Sequence, residues 1–227
     1  MTILRSLLFV PGNTSRMLDR AVALKPDAFI LDLEDSVPID EKSNARAVTA
    51  SYLERFAATG RPVIPRVNSL DTGLLEADLE AMVGPHVFGV SVGKIDTPAH
   101  TAEVSKILQR LEVKSGLAIG TTKLIPWIES ASAIVHVFDI CRSSSRIVAV
   151  ALGAEDFTND MALQRSEDGV EIAYPRAAVA IAARAAGVVA IDTPYVNFRD
   201  NEGLRQDILS ALPLGFKAKF AIHPGQL

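Results

Sequence analysis

The chain has 227 residues, 48% of them hydrophobic, and a formal net charge of −4; that is ample core for one domain, and no basic cluster is present to recruit a nucleic acid. No apolar run approaches the roughly 18 residues of a membrane span, and the start, Met1 to Arg5, has neither a basic region nor a small-residue cleavage site, so a cytoplasmic protein is expected. The single cysteine, Cys141, excludes an intrachain disulfide framework and a cysteine-built zinc site.

The elements follow in order. Leu7 to Val10 is a short apolar run stopped by Pro11-Gly12, a strand and its turn. Asn13 is placed to cap a helix with Met17, Leu18, Ala21, Val22 and Leu24 inward, broken at Pro26-Asp27. Ala28 to Leu33 reads as the second strand, with Asp32, Glu34 and Asp35 at its end. Pro38 and Asp40 open a helix with Ala45, Val48, Tyr52 and Phe56 on one face, and Gly60 ends it. Pro62 to Val67 is the third strand, delivering Arg66 and Asn68, and Leu74 to Val83 a short helix. Val87 to Val92 is the fourth strand, followed by Gly93-Lys94; Thr97-Pro98 then starts a helix with Val104, Ile107, Leu108 and Leu111 buried.

Leu124 to Ile128 is the fifth strand and ends in Glu129, after which Ser130 caps a helix with Ile134, Val137, Phe138 and Cys141 inward. Ile147 to Leu152 is the sixth; it stops at Gly153 and is followed by Glu155 and Asp156. Residues 159–173 read as a polar connection long enough to be a functional loop. Tyr174 to Ala186 is a helix closed by Gly187, and Val188 to Ile191 the seventh strand, with Asp192 after it. Asp200 opens a helix carrying Leu204, Ile208, Leu209 and Leu212, and Lys217 to Ile222 is the eighth strand, with His223 after it.

Strands alternating with helices imply parallel pairing through right-handed crossovers. Eight strand signals and seven helix signals in a chain of this length favour a single (β/α)8 TIM barrel, residues 1–227, over an open doubly wound sheet. Against the open sheet, Pro11-Gly12-Asn13 is not a G-x-G-x-x-G turn. Residues just past the strands then face one mouth: Glu34, Asp35, Arg66, Asn68, Lys94, Glu129, Asp156, Asp192 and His223. Single charges at strand ends are commonly solvated or capping, and Asp156 read alone fits a helix cap. Glu129 and Asp156 stand out because they end adjacent strands after wholly apolar runs. Two carboxylates with positions left for water and substrate suit Mg²⁺. Arg66 suits a substrate carboxylate or an oxyanion, which its planar fork binds bidentately.

Six stretches, Arg5-Ser-Leu-Leu-Phe-Val-Pro-Gly12, Leu31-Asp-Leu-Glu-Asp35, Arg66-Val-Asn68, Ile128-Glu-Ser130, Leu152-Gly-Ala-Glu-Asp-Phe157 and Ala221-Ile-His-Pro224, resemble in order the citrate lyase beta-subunit family of the HpcH/HpaI aldolase superfamily. The resemblance implies a (β/α)8 barrel, usually a homotrimer, that breaks or forms a C–C bond next to a CoA thioester. By that analogy Glu129 and Asp156 hold Mg²⁺, and Arg66 and Glu129 contact the substrate. Arg66, Glu129 and Asp156 are then the catalytic set, with Asp32, Glu34 and Asp35 orienting Arg66 and ordering water. The implied reaction cleaves a 3-hydroxyacyl-CoA such as citryl-CoA to a 2-oxo acid such as oxaloacetate plus acetyl-CoA. The alternatives are an aldolase acting on free 4-hydroxy-2-oxo acids and a non-catalytic binding or assembly subunit. Two departures are visible. Relatives usually read Pro-Lys where this chain has Gly93-Lys94, and they usually continue past the Ile-His-Pro motif into a segment that closes over the site. Here only three residues follow Pro224, so the eighth helix and that lid are expected to be absent.

Overall fold

The computed structural model describes residues 3–166 and 168–227. Eight parallel strands form a closed barrel in chain order: β1 (Ser6–Pro11), β2 (Ala28–Asp32), β3 (Arg66–Val67), β4 (Gly89–Val92), β5 (Lys123–Ile128), β6 (Ala149–Leu152), β7 (Val189–Asp192) and β8 (Ala218–Ala221). β8 pairs with β1, Ser6 opposite Lys219, and closes the ring. Around it lie α1 (Ser15–Ala21), α2 (Lys42–Ala57), α3 (Leu75–Met82), α4 (Pro98–Lys114), α5 (Ala131–Arg142), α6 (Ala154–Asp160), α7 (Ala173–Ala186) and α8 (Asn201–Ala211). A 3₁₀ turn, Pro224–Gln226, follows β8.

Alternation along each strand sorts the apolar side chains into two layers. Leu7, Ile30, Ile64, Ile125, Trp127, Ala149, Ile191 and Phe220 fill the barrel interior. Leu8, Leu31, Val90, Leu124, Val150 and Ala221 point outward and pack under the helices, against Phe56, Leu108, Val137 and Val179. Near the mouth, Trp127 stacks on Phe220 at 4.5 Å between ring centroids, and Phe9 lies 5.2 Å from Phe220. These three rings form an aromatic floor.

Several expectations change in detail. The third strand, expected from Pro62, pairs as a strand only at Arg66–Val67, with one isolated bridge from Phe29 to Val63. Pro62 and Pro65 have no N–H to give a neighbour, so the ladder is interrupted there. Thr14 rather than Asn13 is the N-cap of α1. Phe138, expected inward, is 40% exposed under the Arg142 guanidinium, and Met17, Leu209 and Leu212 are also exposed. In α5 the inward stripe runs through Ile134, Val137 and Cys141, which leaves Phe138 about 100° beyond Val137. The polar connection after β6 begins as a helix: α6 contains Glu155 and Asp156, and its N-cap is Gly153. Asp156 therefore sits in the first turn rather than capping it, where the helix dipole favours a negative charge.

Candidate functional site

At the mouth a 380 Å³ cavity is floored by Phe9 and Trp127 and walled by Asp32, Asp35, Arg66, Glu129 and Asp156 on one side and Thr193, Pro194, Val196 and Ile222 on the other. One side is charged and the other apolar. Strand register explains the charged side. Trp127 points into the barrel, so Glu129, two residues on, reaches the same mouth. Arg66 opens the short β3 opposite Asp32 of β2 and Ser91 of β4, and Ser91 accepts the Trp127 indole N–H at 2.5 Å.

Arg66 is the hub. It is 6% exposed, its Nε touches Glu34, and its Nη2 lies 3.0 Å from Asp35 and 3.6 Å from Glu129. Its guanidinium carbon stands 4.6 Å from the centre of the Trp127 ring, a cation–π arrangement. Burial alone would lower its pKa, but Glu34, Asp32, Glu129 and Asp35 raise it. Asp32 accepts the Glu34 and Ser36 N–H groups at 2.9 and 3.1 Å and so shapes the turn that presents Glu34 and Asp35.

Glu129 is 3% exposed. Its Oε2 accepts the Lys94 N–H at 2.8 Å, while its buried Oε1 has no hydrogen-bond partner. Burial pushes its carboxyl up to about 7 against the pull of Arg66, and pushes Glu34 up to about 8. Asp156 is raised as well, by burial and then by Asp35. Two glycines make room for this packing. A Cβ on Gly153 would lie 2.4 Å from the Glu129 Cγ, and one on Gly93 would lie 3.0 Å from Glu34 Oε1 and 3.1 Å from Glu129 Oε2. Lys94 adopts a left-handed backbone, φ 53°, as its N–H turns to Glu129.

Five carboxylates converge on one guanidinium, and among the described residues one oxygen of Glu129 is buried with no hydrogen-bond partner, 3.6 Å from Arg66. A buried carboxylate oxygen that accepts no hydrogen bond is costly in an apolar surrounding, and a divalent cation beside Glu129 and Asp156 would neutralise the excess negative charge. Among the described residues no three Asp, Glu, His or Cys side chains converge as a closed cage. Two carboxylates plus water and substrate oxygens suit Mg²⁺, which keeps part of its hydration. The residues present fit that ion.

Arg66, Glu129, Asp156, Asp32, Glu34 and Asp35 thus come together. Glu155 turns away to Arg165 at 3.0 Å. Three other strand-end residues do not join the site. Asn68 bonds Asp78 and the Leu33 carbonyl. Asp192 points outward between barrel and helices and pairs with Arg176 and Lys219, because Ile191 and Thr193 occupy the inward positions flanking it. His223 stacks on Phe198 and accepts the Gly225 N–H. Lys94 contributes its backbone; its ammonium lies 3.9 Å from Asp71, over a second, 240 Å³ cavity on the far side of Glu129 and Asp156. The aromatic floor and the two glycines went unrecognised in the sequence. The alternation that places Trp127 on the same face as Glu129 was the available signal.

The sequence profile of the HpcH/HpaI aldolase/citrate lyase family matches residues 5–224. The chain is 35% identical to citrate lyase subunit beta of Leuconostoc mesenteroides over 223 residues, 98% of this chain and 74% of that protein. It is 32% identical to the mitochondrial citramalyl-CoA lyase of Rattus norvegicus, across 98% of this chain and 69% of that one. The solved citrate lyase beta subunit of M. tuberculosis, in complex with oxaloacetate and magnesium, superposes with a TM-score of 0.81 at 27% identity, covering 99% of this chain and 93% of that one.

Proposed function

The chain belongs to the HpcH/HpaI aldolase/citrate lyase family, and from that premise we propose that it is a Mg²⁺-dependent carbon–carbon lyase, working as a homotrimer, that cleaves a 3-hydroxyacyl-CoA of the citryl-CoA type to a 2-oxo acid such as oxaloacetate and acetyl-CoA. The observation that carries this reading is the buried oxygen of Glu129 that, among the described residues, accepts no hydrogen bond, beside Asp156 and facing Arg66. Glu129 and Asp156 hold Mg²⁺, which when bound supplies Lewis-acid polarisation of the hydroxyl and carboxylate oxygens of the substrate.

The bond between the hydroxyl-bearing carbon and the carbon next to the thioester breaks. Its electron pair passes into the thioester as an enolate, the hydroxyl-bearing carbon becomes the 2-oxo carbon as its O–H proton leaves to solvent, and the enolate takes up a proton to give acetyl-CoA. Arg66 stabilises the negative charge that develops, a contribution strongest where water is excluded. Glu34 and Asp35 hold the guanidinium over Trp127, so it needs little reorganisation during the reaction. Phe9, Trp127, Val196 and Ile222 keep the cavity apolar beside the charged wall. The relatives named citrate lyase and citramalyl-CoA lyase support a thioester substrate.

The test is incubation with Mg²⁺ and citryl-CoA, malyl-CoA or citramalyl-CoA, following release of the oxo acid. The expected result is turnover that EDTA abolishes and that Glu129→Ala reduces to background. Cleavage of a free 4-hydroxy-2-oxo acid without thioester dependence would replace this reading with the aldolase one. Binding of Mg²⁺ and oxaloacetate with no turnover would replace it with a binding role. Sedimentation velocity, expected to give a species of three chains, tests the assembly.

A further inference from the structure

Lys42, the first residue of α2, is 8% exposed. Its ammonium donates to two backbone carbonyls, Leu33 O at 2.8 Å and Glu34 O at 2.6 Å, and among the described residues it forms no ion pair. Burial pushes its pKa below the usual lysine value, against the attraction of Asp32 and Glu34. A charged group that meets only neutral carbonyls is an expensive thing to bury, since an apolar side chain of similar length would fill the same space without desolvation.

The place of the two carbonyls explains the residue. Leu33 is a junction: its N–H donates to Arg66 O at 2.8 Å, and its carbonyl accepts from Lys42 and from Asn68 Nδ2 at 3.0 Å. Asn68 is held in turn by Asp78, which receives its N–H at 2.8 Å and its Nδ2 at 2.6 Å. Asp78 also pairs with Arg46 at 2.6 Å. Lys42 and Arg46 lie one turn apart on α2 and grip the ends of β2 and β3. Between those ends sit Glu34 and Arg66.

We propose that Lys42 is a positioning residue of the site: by holding the Leu33 and Glu34 carbonyls it locks the end of β2 against β3 and so sets where Glu34 meets Arg66. It touches no cavity atom and acts through Glu34 and Arg66. Asn68 is the β3 half of the same lock, which gives that strand-end residue its place. Lys42 adds two side-chain donors to a turn whose own N–H groups, Glu34 and Ser36 to Asp32 and Val37 to Glu34 O, already hold part of it, so the turn is braced from beneath by a helix as well as by its own hydrogen bonds.

The experiment compares Lys42→Met and Lys42→Gln with the unaltered full chain. One arm measures hydrogen exchange at the Leu33, Glu34 and Val37 amides against the β5 amides as internal reference. The other titrates oxaloacetate with Mg²⁺, followed by the emission of Trp127, the single tryptophan, which lies under Arg66. Lys42→Met is expected to speed exchange at the turn on the order of tenfold, with β5 unchanged, and to weaken oxaloacetate binding by a similar factor. Lys42→Gln, with one shorter donor, is expected to fall between, and it carries the test alone if Lys42→Met does not fold. Exchange that accelerates equally in the turn and in β5 would overturn the proposal in favour of a purely structural lysine, as would turn exchange equal to that of the unaltered chain. The binding arm rests on the proposed function. If the unaltered chain binds no oxaloacetate, that function fails, while exchange and the unliganded Trp127 emission still decide the role of Lys42.

Discussion

Glu129 and Glu34 tie the chemistry of the site to stability. Both carboxyls are raised by burial, to about 7 and about 8 from an ordinary 4.5. Between pH 4.5 and about 8 the native state keeps protons that the unfolded chain has lost, so metal-free stability falls as pH rises through that window. On the proposed function, Mg²⁺ would bind the ionised form and oppose the fall. Thermal melts with Mg²⁺ or EDTA should therefore show a larger Mg²⁺ shift near pH 8 than near pH 6, with about 2.7 kcal/mol gained at a hundredfold excess over Kd. A shift independent of pH would exclude Glu129 as a ligand. Arg66→Lys keeps the charge but loses the planar fork and the guanidinium contact with the Trp127 ring. Its kcat is expected to drop roughly 10²- to 10³-fold in steady-state assays. Arg66, Glu129 and Asp156 were legible in the sequence because each lies at or just past the end of an apolar strand run. Trp127 was not, since a tryptophan inside an apolar run reads as core until its ring is seen beneath a guanidinium.

At the scale of elements, the strand ends depend on small residues and buried pairs that no motif announces. Gly153 lets β6 pass against Glu129 of β5 with no side chain between them. Gly153→Ala forces Glu129 to move and is expected to cost about 1–3 kcal/mol by urea denaturation and to remove Mg²⁺ binding in calorimetry. At the other end of the barrel Glu112 of α4 and Arg146 form a buried bidentate pair at 2.6 and 2.7 Å, and Glu112 also accepts the Gly120 and Thr122 N–H groups. Although burial opposes it, Arg146 and those N–H groups bring Glu112 down to about 2. The stability it supplies is present above an unfolded pKa near 4.5 and is lost as pH falls toward 2. Arg146→Ala would orphan it at a cost of about 3–5 kcal/mol in the same denaturation assay. Neither partner was readable as half of a pair, because 34 residues separate them. The misplaced Phe138 and the shortened β3 share one cause: periodicity marks an apolar residue or run but not which side of a helix faces the barrel, nor where proline interrupts a ladder.

For the molecule as a whole, the closed eight-stranded barrel was legible because the strand and helix periods alternate so regularly. The aromatic floor, by contrast, combines rings from β1, β5 and β8, far apart in the chain. Only closure brings them together. The seam where β8 meets β1 is the last ladder available to a chain emerging from the ribosome. Until it forms, Phe220 cannot reach Trp127. The cavity is thus the final product of folding rather than an early nucleus, and contacts so distant in sequence form slowly. In refolding, the stacking signal of Trp127 should trail the rise of helical signal measured by circular dichroism. A nascent chain would then acquire its helices first and its binding site only once β8 has emerged.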